Sequence, residues 1–266
     1  MTADISARIL HCDSHCAVVN KIAGEATEAA GKGMIDLPRL IAAALSAPHI
    51  VPPAADALEI PAAAHRLDVP VSGCVVFART QAALQFLNDV FRGAGAGSSN
   101  APERRYWAVI EPPANEVSLK WLEHNSSESA ELVHWIQFDP RKNKSFAFDE
   151  PGPGRKKAIL RCRLIGRGDK YLFMETELVT GRHHQIRAQF ERLGLHIKGD
   201  LKYGAKRSER DGGIRLHARS LSFPDPADGI GGNPDARRIT VQADPPLRDN
   251  LWLAFEDSVR FKETEE

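Results

Sequence analysis

The chain has 266 residues, 42% of them hydrophobic and 26% charged, with 35 Lys and Arg against 35 Asp and Glu. That is enough for a sizeable core in one large domain or two small ones, and the neutral balance gives no overall pull toward nucleic acid. No run approaches 18 apolar residues and the N-terminus lacks a basic flank with an apolar core, so neither a membrane helix nor a signal peptide is indicated and a cytoplasmic protein is expected.

Ile9-Leu10 and Ala17-Val18-Val19 read as short strands joined by an Asp-Ser turn, and Asn20-Lys21 with Ala23-Gly24 ends the second strand. Cys12 and Cys16, with His11 and His15, invite a zinc reading. No second ligand pair follows, and Cys74 and Cys162 fall within apolar strand patterns, so buried or incidental thiols are the better reading. Asp36 can cap a helix through Leu45 with Pro38 in its first turn. Pro48, Pro52, Pro53 and Pro61 then mark an extended surface connection.

The next stretch is His65-Arg66-Leu67-Asp68-Val69-Pro70-Val71-Ser72-Gly73. It reads as a tight loop entering a buried strand, Cys74-Val75-Val76-Phe77-Ala78. A carboxylate on such a loop is held rigidly yet can face a cleft, a good place for catalysis, although a single Asp in a loop is more often a turn or capping residue. Thr80 can cap a helix through Arg92, with Ala83, Phe86, Leu87, Val90 and Phe91 on one face. The glycine-rich loop from Gly93 to Asn100 lacks the context of a phosphate cradle.

Arg104 to Ile110 is a strand containing Tyr106. Residues 114–156 are weakly patterned, with turns at Asp139–Lys144 and Pro151–Gly154. Lys157–Leu164 alternates apolar and basic residues toward its end, which argues for a half-exposed antiparallel strand, and Tyr171–Thr180 is another. Thr180-Gly181-Arg182-His183-His184-Gln185-Ile186-Arg187 leads into a helix stopping at Gly194, with Arg187 at the margin of its buried stripe. The adjacent histidines do not point together as metal ligands would; His184 reads as structural or as polar support. Arg182 to Arg219 carries ten Lys or Arg against four acids, a local patch able to hold phosphates. Arg215-Leu216-His217-Ala218, a strand at Arg238–Val241 and a helix around Leu251–Phe255 close the chain.

Three motifs, in this order, resemble the RluA-type pseudouridine synthases: His65-Arg66-Leu67-Asp68 with Ser72-Gly73, Arg104-Arg105-Tyr106, and Thr180-Gly181-Arg182 through Gln185-Ile186-Arg187. Gly199-Asp200 with Tyr203-Gly204, and Leu216-His217-Ala218, extend the likeness, which covers about residues 9 to 256. Ile22, Val71, Gln189 and His196 depart from it; the family usually has Pro, Thr, His and Pro there. The resemblance implies an α+β pseudouridine synthase fold, with a mixed, largely antiparallel sheet, flanking helices and a central RNA-binding cleft, here as a single catalytic domain. Because the likeness starts near residue 9, the small N-terminal RNA-binding domain of some members is expected to be missing. That leans toward compact targets such as a tRNA or hairpin.

The resemblance also implies roles. Asp68 is the catalytic aspartate, Arg187 its counter-charge and Tyr106 the ring against the target base, with a hydroxyl able to help remove the C5 proton. Arg66 helps extrude the uridine, Arg182 holds phosphate and Leu216 packs beside the base. The reaction is an isomerisation of uridine in rRNA or tRNA that needs no cofactor and no metal, by a protein expected to be a monomer away from membranes. Two other classes stand beside it. A non-catalytic RNA-binding protein of the same fold would not need Asp68, Tyr106 and Arg187 intact. An Asp-dependent glycosidase normally needs a second carboxylate, and none accompanies Asp68 in its motif.

Overall fold

The computed structural model describes all of the chain except residues 1–3, 29–34, 47–50, 53, 55, 94–99, 114, 125–128 and 266. Strand β1 (Ile9–Cys12) turns into β2 (Cys16–Lys21). Asp13 shapes the turn by accepting the backbone N–H groups of His15 at 2.7 Å and Cys16 at 2.8 Å. The short strands β3 (Glu25–Ala26) and β4 (Ile35–Asp36) pair in parallel, and helix α1 (Leu37–Leu45) follows. The Asp36 carboxylate caps it by accepting the Arg39 N–H at 3.3 Å, with Pro38 in the first turn.

The proline-marked connection departs from expectation. It contains a strand, β5 (Ala57–Ala63), that pairs antiparallel with β6 (Ser72–Thr80). Pro61 is buried in it, within a break of register between Ala57 and Ala62, where a residue without an N–H costs no ladder bond. Pro48 and Pro53 lie outside the described residues. Helix α2 (Gln81–Gly93) starts where Thr80 Oγ1 accepts the Ala83 N–H at 3.1 Å. Most of the glycine-rich loop after it, residues 94–99, lies outside the described residues.

Strand β7 (Glu103–Ile110) precedes a stretch that holds more structure than its pattern announced: α3 (Glu116–His124), β8 (Ala130–Asp139) and β9 (Lys144–Phe148). The alternation on β8 was masked because a polar residue, His134, takes an inward place between Leu132 and Ile136. Strands β10 (Lys156–Arg167) and β11 (Leu172–Leu178) are antiparallel partners, as the alternating pattern predicts. Helix α4 (Gln185–Arg192), β12 (Leu216–Pro224), the short α5 (Pro226–Gly229), β13 (Arg238–Gln242) and α6 (Asn250–Glu265) complete the order.

The chain divides into two compact units, Met1–Arg104 with Ala218–Pro246, and Arg105–His217 with Leu247–Glu266. In the first, β2 pairs antiparallel with both β1 and β6, and β13 pairs with β12. Its core joins Val18, Val76, Leu87, Leu221 and Phe223, with α2 supplying one side. In the second, an antiparallel sheet runs β7–β11–β10–β8–β9. Side chains alternate across it, so Ala158 and Ile136 meet Ala188 of α4 and Tyr203 on one face, while Trp107 and Phe173 meet Trp252 and Phe255 of α6 on the other. The α+β class with largely antiparallel sheets and flanking helices is therefore present. Among the described residues no helix is long and apolar enough to cross a membrane.

Gly73, two strand positions past Val71, fixes how the Asp68 loop enters β6. Its φ of +117° is left-handed, and an added Cβ would lie 2.5 Å from the backbone nitrogen of Ala218. Gly73→Ala should cost about 3 kcal/mol through combined clash and backbone strain, read as a lower urea midpoint.

Candidate active site

In the first unit, Asp68 sits half-buried on the loop before β6. The loop closes with the Val71 N–H donating to the Asp68 carbonyl at 3.0 Å. Beneath it lies Lys21, fully buried at the end of β2. Its ammonium reaches four carbonyl oxygens: Ile22 at 3.1 Å, Asp68 at 3.2 Å, Val69 at 3.0 Å and Val71 at 2.6 Å. Three of the four belong to the Asp68 loop. Burial pushes the Lys21 pKa down to about 7, against the pull of the Glu25 and Asp68 carboxylates. The turn after Lys21 is braced in its own way. Arg8 forms a two-pronged pair with buried Glu25, both contacts at 2.8 Å. Glu25 also accepts the Ile22 N–H at 3.0 Å, and the Gly24 N–H donates to the Val69 carbonyl at 2.9 Å.

His65, three residues before Asp68, is held otherwise. Its ring stacks on Phe91 at 4.5 Å and accepts the Val76 N–H at 3.3 Å. Burial, with Arg104 adding to it, pushes its pKa down to about 3, so it is a neutral packing group. Arg66 is exposed, 3.5 Å from the exposed Glu28.

In the second unit, Tyr106 is buried on β7 opposite Thr176, and Leu216 is buried at the start of β12. Arg187 is not at the margin of a stripe: it is 4% exposed, and α4 is buried on every side from Gln185 to Phe190. Its Nε and Nη2 grip Asp200 at 2.6 and 2.8 Å, and its guanidinium lies 4.7 Å from the centre of the Tyr203 ring. The Tyr203 hydroxyl in turn meets His184 Nδ1 at 2.9 Å and donates to the Ser145 carbonyl at 3.0 Å. His184 takes a left-handed backbone, φ 51°, ahead of α4, which turns its ring onto Tyr203 as polar support. Arg182 is exposed; its Nε donates to the Lys157 carbonyl at 3.0 Å.

The model of the RNA pseudouridylate synthase family matches residues 15–192, more than half of the chain. The chain belongs to this family. An uncharacterized RNA pseudouridine synthase of Zymomonas mobilis is 26% identical over 82% of this chain and 88% of its own length. RNA pseudouridine synthase 4, mitochondrial, of Arabidopsis thaliana is 30% identical over 74% of this chain, and ribosomal large subunit pseudouridine synthase C of Vibrio parahaemolyticus is 25% identical over 85%. The alignments span 40% and 64% of these last two proteins, so the chain covers less than two thirds of their length. Among solved structures, human RNA pseudouridylate synthase domain containing 4 shares the fold, with a TM-score of 0.65 at 18% identity over 96% of this chain and 94% of that one.

Against this family frame, the four departures find local partners. Ile22 uses an N–H that proline lacks, on Glu25. Val71 is buried and gives its carbonyl to Lys21. Gln189 donates to the Leu132 carbonyl at 3.2 Å and meets His134 Nδ1 at 3.0 Å. His196 Nδ1 donates to the Tyr203 carbonyl at 2.7 Å. The basic stretch from Arg182 to Arg219 is more committed than its charge implied. Asp200 takes Arg187, Glu209 takes Lys198 and Arg215, and Asp149 takes Arg192, while Lys202, Lys206, Arg207 and Arg210 stay exposed.

Sequence reading missed Lys21, Asp200 and Tyr203 as parts of the site. Lys21 stood beside the second strand as an ordinary turn residue; Asp200 and Tyr203 were visible in the Gly-Asp…Tyr-Gly motif, without their partners. His11, Asp13 and Cys16 do gather, with ligand atoms within 4.8 Å of one another. Asp13 is already engaged with His11 and two backbone N–H groups, and burial pushes the Cys16 thiol far above its usual range, which favours hydrogen bonding over metal binding.

Two outcomes follow. Asp200→Asn takes the bidentate carboxylate away from the buried Arg187 and should cost about 3 kcal/mol in urea unfolding. Lys21 carries less proton in the fold than its ordinary 10.5 allows in the unfolded chain. Its contribution to stability is therefore smallest below pH 7 and rises between pH 7 and 10.5. Lys21→Met should abolish that rise when urea midpoints are compared across pH 6–10, and should lower activity at every pH by releasing the loop.

Proposed function

We propose that this chain isomerises specific uridines of an rRNA or tRNA to pseudouridine, with Asp68 as the reacting carboxylate. The family match over residues 15–192 carries the reading, because it spans the three motifs that hold Asp68, Tyr106 and Arg187. The rigid seating of the Asp68 loop on Lys21 supports it: a group that reacts at one atom of a large substrate needs a fixed backbone.

The bond from uracil N1 to ribose C1′ breaks, the base turns, and C1′ joins C5, which gives up its proton. Asp68 either attacks C1′, the bond it forms breaking again when C5 joins C1′, or removes the 2′ proton and returns it at that step; N1 ends with a proton in place of the one C5 loses, and neither route changes redox state. Tyr106 stacks on the uracil and its hydroxyl assists loss of the C5 proton. Arg187, braced by Asp200, is the aspartate's counter-charge, as the family motif implies. Leu216 packs beside the base, Arg66 takes the place of the extruded uridine, and Arg182 holds phosphate. Such a protein acts in the cytoplasm as a monomer. The Vibrio relative's name, a ribosomal large subunit synthase, favours rRNA over tRNA.

Tritium release from C5-tritiated uridine, in rRNA and tRNA pools that lack pseudouridine, tests the reading. Wild type should release tritium from one pool, and Asp68→Asn should reduce the rate at least about a thousandfold, as expected when a covalent or proton-transfer group is lost. RNA binding without release from either pool would favour the non-catalytic alternative.

A further inference from the structure

The sheet of the second unit has a face that α4 does not cover, and α6 reaches only part of it. Direct cross-strand pairing aligns Lys157 of β10, Trp135 of β8 and Phe148 of β9 in one row on this face. The next row on the β9 side sets Phe146 opposite Gln137. Trp135, Phe146 and Phe148 are half-exposed, and Lys157 and Gln137 are exposed. Among the described residues three aromatic rings stay half-exposed on this face, with Arg155 lying on one of them, a poor use of apolar surface unless something further stacks there.

The charges around these rings are specific. The Arg155 guanidinium lies 3.6 Å from the centre of the Phe148 ring, and Lys142 lies 5.5 Å from that of Phe146. Arg182 reaches the same edge, bound to the Lys157 carbonyl. Of the nearby acids, Asp149 holds Arg192, Asp139 accepts the backbone of its own turn, Glu131 and Glu177 pair with Arg161, and Glu150 is exposed, its backbone carbonyl taken by Arg155. Unlike Arg161 and Arg163, whose carboxylate partners neutralise the β10–β11 side, Lys142, Arg155, Lys157 and Arg182 have no acid side chain as a partner among the salt bridges of the described residues.

We infer that this aromatic, basic sheet face binds a single-stranded stretch of RNA, with unpaired bases stacked on Trp135 and Phe148 and phosphates held by Arg155, Lys157 and Arg182. Aromatic rings on a flat sheet accept any base by its π-face, and flanking cations take the backbone. The face is the one opposite Tyr106, since Tyr106 pairs with Thr176, which pairs with Cys162, on the side that carries α4. It is thus a second contact for an RNA longer than the target nucleotide, and it rests on the RNA reading above.

Fluorescence anisotropy with a labelled 12-nucleotide oligouridine tests it on the full chain. Trp135→Leu and Phe148→Leu keep the apolar bulk and lose the stacking face, so each should raise Kd at least about fivefold. Arg155→Ala and Lys157→Ala should each flatten the slope of log K against log salt by about 0.7, the share of one phosphate on a single strand. RNA should also quench tryptophan emission in the wild type and much less in Trp135→Leu. Unchanged Kd, slope and quenching overturn the inference. So does a self-association, seen in sedimentation, that these substitutions abolish while RNA affinity stays constant, which would assign the face to a second copy. Tritium release separates the two readings: release by wild type with oligouridine affinity untouched sinks the sheet face alone, and lost affinity in the variants of a wild type that releases no tritium sinks the isomerase alone.

Discussion

One buried ammonium organises the first unit. Lys21 is fully buried and satisfies itself on the carbonyl oxygens of the Asp68 loop. An unpaired lysine there would be costly, and so would the loop carbonyls without a donor. Each makes the other affordable, and the loop is left with one backbone path. Arg8, Glu25 and Gly24 close the web from the other side, so that β2, the turn after it and the entry to β6 behave as one piece.

The second unit solves a similar problem with an ion pair. Arg187 and Asp200 are both almost fully buried and meet through two parallel hydrogen bonds, the geometry in which a buried pair best offsets its desolvation. Tyr203 lies against the guanidinium, and its hydroxyl ties His184 to Ser145 of β9. The helix that carries Arg187 is therefore fixed by polar contacts as well as by packing against Ile136 and Ala158. In both units a charged group of the motifs, or the loop that bears it, is positioned by a buried charge of opposite function.

The departures from the family pattern show how such webs tolerate change. Where proline would have fixed a turn by its ring, Ile22 fixes it by an N–H on Glu25. Where histidine is usual, Gln189 finds His134 on the neighbouring strand. In these two places one local restraint stands where the family usually has another.

The sequence by itself determined a good deal. Local patterns were enough for the β1–β2 turn, both capped helices, the antiparallel β10 and the closing helix, because capping, alternation and turn chemistry act over a few residues. The motifs named Asp68, Tyr106 and Arg187 and the family that the comparison found. Tertiary structure alone decided the rest. Pro61 looked like part of a surface connection because its place in a break of register depends on a strand that comes later in the chain. Arg187 looked marginal because a helix stripe does not reveal that Asp200, 13 residues on, folds back over the other side. Lys21 looked like a turn residue because its partners lie 47 to 50 positions away. The commitment of Lys198, Arg215 and Arg192 to carboxylates, and the alignment of Lys157, Trp135 and Phe148 across three strands, are likewise products of pairing between distant segments. Short-range rules fix where elements begin and end; which buried charge meets which is set only when the chain has closed around it.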